Sequence, residues 1–115
     1  MRKVIVTGGR NYENQAVVYR VLNHVRPSIL LVGDCPTGAD ALARQWAMET
    51  ETRHKVFVAE WDRWGKSAGP RRNKAMVDSA DAETIVIAFP GASGTNHCCN
   101  YAQFEKGLTV LRVQR

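Results

Sequence analysis

The spacing of apolar residues along this chain changes period several times. Short runs rich in branched side chains recur at Lys3–Thr7, Ser28–Val32, Lys55–Ala59, Thr84–Phe89 and Leu108–Val113, with starts 24 to 29 residues apart. Each interval suits one strand followed by one helix. Between the runs the period lengthens to that of a helix. In Asn14–Arg26, the side chains of Val17, Val18, Val21, Leu22 and Val25 share a face that Arg20, Asn23 and His24 avoid. In Ala39–Glu51 the stripe is Ala39, Leu42, Ala43, Trp46 and Ala47. Pro27 and Gly107 stand where helices should stop. Parallel strands need crossover connections, so this alternation predicts an α/β fold: a doubly wound sheet of about five parallel strands flanked by helices. No linker or low-complexity stretch interrupts the pattern, and residues 1–115 read as a single domain.

Composition narrows the class. With 44% hydrophobic and 23% charged residues, collagen-like, mucin-like and wholly disordered chains are excluded. The longest apolar runs, Ile29–Val32 and Ile85–Pro90, fall far short of the ~20 residues that cross a bilayer. The basic start Met1-Arg2-Lys3 is followed by too few apolar residues for a signal peptide. Cys35, Cys98 and Cys99 cannot pair completely, and reduced thiols point to the cytoplasm. Because each crossover offers only a short helix to cover the sheet, a homodimer that shields one helix pair is expected.

Charge is concentrated. Sixteen basic and eleven acidic residues leave a net +5. Arg63, Lys66, Arg71, Arg72 and Lys74 lie in one segment without an acid, and they account for the whole surplus. A nucleic-acid-binding face would spread its charge more widely. A single loop-and-helix segment suits a local anion site better.

Glycine locates the working end of the sheet. Gly8, Gly9, Gly33, Gly38, Gly91 and Gly94 all follow a predicted strand and precede a helix. In open α/β sheets, ligands bind beyond the carboxyl ends of the strands, where the winding reverses. If it reverses between the first and fourth strands, the turns Thr7–Arg10 and Pro90–Thr95 become neighbours. Arg10 supplies a fixed charge there, and Pro90, Gly91, Ser93, Gly94 and Thr95 open the last helix, with Thr95 expected as its N-cap. Orphan amides and the helix dipole make such a start receptive to anions.

In the second loop, Asp34 can accept from sugar hydroxyls or an exocyclic amine, while Asp40 falls in a first helical turn, where the dipole alone would stabilise it. In the third, Pro70 suits a helix start, Lys66, Arg71 and Arg72 offer charge for a phosphate, and Asn73 offers a contact to ribose or base. Trp61 or Trp64 could stack on a base. For Trp61, packing beneath the loop is the expected role. Asn96-His97-Cys98-Cys99 suggests a reactive thiol or a zinc site, but there is no Cys-x-x-Cys pair and buried small side chains account for the cysteines. No catalytic residue, metal site or cofactor is assigned.

In their order, Val6-Thr7-Gly8-Gly9-Arg10, Gly33-Asp34-Cys35-Pro36-Thr37-Gly38-Ala39-Asp40, Ala68-Gly69-Pro70-Arg71-Arg72-Asn73 and Ala88-Phe89-Pro90-Gly91 with Gly94-Thr95 resemble the SLOG superfamily of Rossmann-like domains. The match is to its small, stand-alone YpsA-related branch and covers essentially the whole chain. The resemblance implies a nucleotide or nucleotide-derived ligand at the strand ends. Relatives include hydrolases that cut the base–ribose bond of nucleoside monophosphates, a DNA-binding recombination mediator, and sensors of ADP-ribose-type messengers. The hydrolases carry a second glycine where Ala92 stands and an acid where Cys98 stands. This chain therefore keeps the expected binding groups and lacks that acid. The leading expectation is a binding module that senses or sequesters a nucleoside phosphate or an ADP-ribose/NAD-type molecule. The alternatives are a phosphoribohydrolase using a displaced acid (Asp34, Asp40, Glu60 or Asp62) and a domain that binds DNA or RNA.

Overall fold

The computed structural model describes residues 2–114, so Met1 and Arg115 of the expected domain lie outside the described residues. Five strands, β1 (Lys3–Thr7), β2 (Ile29–Gly33), β3 (His54–Phe57), β4 (Ile85–Ala88) and β5 (Thr109–Arg112), form one sheet in the order β3-β2-β1-β4-β5. Every pairing is parallel, with Val4 opposite Leu30 on one side and Ile85 on the other. The strands sit where the apolar runs place them, within a residue or two at each end.

Alternation within the central strands builds two cores, because successive side chains leave opposite faces of a sheet. Val4, Val6, Leu30, Val32, Ile85 and Ile87 point to one side, beneath α1 (Gln15–Val25) and α2 (Gly38–Glu49). Ile5, Leu31 and Val86 point to the other, beneath α4 (Ala68–Asp78) and α5 (Ser93–Asn100). The short helix α3 (Trp61–Trp64) and a 3-10 turn (Gly65–Ser67) precede α4, and a π-helical turn (Tyr101–Glu105) follows α5.

Local chemistry sets the helix ends. The Asn14 side chain accepts from the Val17 amide at 3.3 Å and caps α1. Arg26 closes α1 with a left-handed φ of 53°, directly before Pro27. Across the α1–α2 layer, buried Trp46 donates through Nε1 to Asn23 Oδ1 at 2.8 Å. The last helix begins earlier than expected. Its first residue is Ser93, after Ala92, and Thr95 lies inside the first turn and is buried rather than capping it.

Candidate functional site

The order β2-β1-β4 puts the reversal of winding between β1 and β4, and the two glycine turns meet there. The Gly9 amide donates to the Pro90 carbonyl at 2.9 Å. That amide is thereby engaged with protein and not available to a phosphate. A Cβ on Gly9 would lie 2.9 Å from the same carbonyl, and one on Gly91 would collide with Thr95 Oγ1. Only glycine at both positions permits this approach of two backbones. The crossing forms one side of an open hollow of about 1330 Å3 above the strand ends.

The strand-to-helix loops, with residues of α2, α3, α4 and α5, supply most of the rest of the lining. The first turn of α5 contributes Ser93, Gly94 and Thr95, and among the described residues no side-chain cap bonds its start. Arg10 and Lys66 are exposed on the rim, and neither forms an ion pair among the described residues. Deeper in, Arg72 Nη1 bonds Asp34 Oδ1 at 2.8 Å, and Arg72 Nε donates to Asn73 Oδ1 at 2.9 Å. Asn73 Nδ2 reaches the Gly94 carbonyl at 3.4 Å. This relay links the end of β2 through α4 to the start of α5. Gly33 leaves the space for it, since a Cβ there would stand 2.5 Å from Arg72 Nη1 and 2.6 Å from Asp40 Oδ2. The β2–α2 loop is braced by Arg44, whose two terminal nitrogens donate to the Gly33 and Cys35 carbonyls, each at 2.8 Å.

Asp40 is the unusual group of the hollow. Burial pushes its carboxyl up to about 6, and neighbouring Asp34 pushes the same way. Arg72, a hydrogen bond from the Cys35 backbone and Arg44 oppose the rise without cancelling it. The site therefore holds a carboxyl that changes charge near neutral pH, beside a guanidinium already shared with Asp34. Such a group can donate or accept a proton.

Of the residues expected at the site, Gly8, Gly9, Arg10, Asp34, Asp40, Lys66, Arg72, Asn73, Pro90, Gly91, Ser93, Gly94 and Thr95 all line this hollow. Gly38 and Arg71 do not. Gly38 has φ +75°, and a Cβ there would run into the Gly9 carbonyl and the Arg10 backbone, so it shapes the α2 start. Arg71 instead lies 3.7 Å above the Trp64 ring and donates to Ser67 Oγ at 3.2 Å. Glu60 and Asp62, weighed as displaced acids, are exposed outside the lining, and Glu60 sits 3.7 Å from Arg63.

Other residues reach the hollow without having been expected there. Trp61 lines it at 53% exposure and is not packed beneath the loop. His97 lines it too, with its Nδ1 buried and without a hydrogen-bond partner among the described residues. It follows Ser93 by four residues on α5, a spacing hidden as long as Thr95 is taken as the cap. Cys98 is fully buried, and burial pushes its thiol up to about 12, well away from a nucleophile's range. Among the described residues no group of His, Cys, Asp and Glu could hold a metal ion, and no helix is long and apolar enough to cross a membrane.

Sequence comparison identifies the family. The sequence model of the family described as YAcAr, the YspA, cpYpsA-related SLOG family, matches residues 2–64, from β1 through α3. The Gene 61 protein of Mycobacterium phage D29 is 36% identical over 122 residues, which span 96% of this chain and 95% of that protein. That similarity extends over α4, β4 and α5 as well, where the second half of the hollow is built. The chain belongs to the YspA, cpYpsA-related SLOG family.

Proposed function

We propose that the protein binds a nucleotide or nucleotide-derived molecule, of the nucleoside-phosphate or ADP-ribose/NAD type, in the hollow above the strand ends, as a sensing or sequestering module. One observation carries this reading: Arg10, Arg72 and the uncapped first turn of α5 open into the same hollow, at the reversal of winding. Helix-start amides and guanidinium groups suit the phosphate. Asp34 offers a carboxylate partner for hydroxyls and amines, while Asn73 holds Arg72 and the α5 start in place. Family membership supports the same ligand class.

Isothermal titration against nucleoside monophosphates, NAD and ADP-ribose tests it. At least one should bind, and Arg10→Ala should weaken that ligand by roughly 10-fold, the loss of one charge-assisted contact. Silence across the set overturns the reading.

Asp40 favours a second reading, in which the ligand is cleaved at its base–ribose bond. Water would add to the anomeric carbon while the base leaves with a proton, and Asp40 would carry that proton in one direction or the other. Incubation with adenosine monophosphate should then release adenine, and Asp40→Asn should stop it. Binding without release of base leaves the binding module as the function.

A further inference from the structure

We propose that Trp61 is the stacking platform for the base of the bound nucleotide. This assignment rests on the binding function proposed above and adds an orientation to it, with the phosphate at the α5 start and the base at α3.

The three tryptophans differ in what covers their rings. Trp46 is buried and hydrogen-bonded to Asn23. Trp64 lies between two guanidinium groups, with Arg71 at 3.7 Å and Arg63 at 4.7 Å from the ring centre. Among the described residues no aromatic ring or cation stacks on Trp61, which is 53% exposed and faces the hollow. Its edge is seated. A Cβ on Gly69 would come within 3.3 Å of Cη2, so glycine at that position lets the indole lie close against α4. A large aromatic surface held in place over a cavity and left uncovered is what a flat ring can shield from water.

The spacing suits one nucleotide. Gly69, beneath Trp61, and Asn73, bonded to the Gly94 carbonyl, are four residues apart on α4, about 6 Å along the helix. Trp61 and the α5 start thus rest on the same stretch of α4, about one helical turn apart. The hollow, at about 1330 Å3, exceeds the ~300–1000 Å3 usual for small ligands, so base, sugar and phosphate fit together. Lys66 stands on the same rim for any further phosphate.

Titration calorimetry with adenosine monophosphate, ADP-ribose and ribose 5-phosphate decides the matter, the last having no base. Trp61→Ala should weaken the adenine-bearing ligands by roughly 10-fold and leave ribose 5-phosphate unchanged, which also shows that the variant is folded. Trp61→Phe should keep affinity within about 3-fold, because it retains a stacking face. Unchanged adenine binding in Trp61→Ala, or an equal loss for ribose 5-phosphate, overturns the platform and leaves the nucleotide-binding function standing. Failure of all three ligands, and of NAD and the other nucleoside monophosphates, to bind the unaltered protein overturns both.

Discussion

Asp40 behaves as a pH-sensitive residue because its carboxyl titrates near 6 when folded and at 3.8 when freely solvated. The folded state thus prefers the protonated form. Its contribution to stability is complete below about pH 4 and lost as pH rises through about 6. Replacement by the neutral amide removes that loss. Asp40→Asn should therefore melt at the same temperature as the unaltered protein near pH 4 but higher at pH 7, with a difference on the order of 2–3 kcal/mol. Ionised Asp40 also adds negative charge to the hollow, so affinity for a phosphate ligand should fall as pH rises past 6, and Asp40→Asn should abolish that dependence. Arg72 is the strongest influence holding the Asp40 value down. In Arg72→Ala the pH window of this effect should consequently move upward, measurable as a shifted midpoint in melting temperature against pH.

Elements were more legible than their ends. Alternation in Lys3–Thr7 and the stripe through Val17, Val18 and Leu22 report burial directly, and both became core. The Asn14 cap is a local signal of the same kind. Asn14→Ala should cost about 1 kcal/mol, visible as a melting temperature lower by several degrees. The start of α5 was misplaced because no side chain marks it: Ala92 has nothing to cap with, and Thr95 turns inward against Gly91. The π-helical turn after α5 adjoins tertiary contacts. Tyr101 there donates to Asp78 at 2.7 Å, and Lys106 lies 3.2 Å from the same carboxylate. At the site, glycine turns could be read from the chain because backbone approach demands glycine. The pairing of Arg72 with Asp34 spans 38 residues and carries no local trace. Nor does the choice of Trp64 over Trp61 as the ring that Arg71 covers. Two adjacent arginines look alike in sequence, and packing alone gave them different tasks.

At the scale of the molecule, the surplus of positive charge is divided: Lys74 lies over the Tyr101 ring, and the other four basic residues of its segment form two groups. Arg72 and Lys66 face the hollow, while Arg63 and Arg71 flank Trp64 outside its lining. Binding of DNA or RNA through the outer group would weaken steeply with salt, as bound counterions are released. Fluorescence anisotropy of a labelled single strand should show such attraction only at low salt. A nucleotide in the hollow should lose far less over the same range, because its contacts are partly shielded from solvent.

The bonds from Gly9 to Pro90 and from Arg72 to Asp34 each join the portion before residue 65 to the portion after it. Neither portion owns a complete cradle. A gene that exchanged one half with a diverged relative would encode strands and helices that still fit their hydrophobic pattern, yet its chimeric product would pair a guanidinium and a carboxylate that had drifted apart. The two halves must match at those two contacts, and hybrids swapped near Trp64 should fold before they regain any affinity.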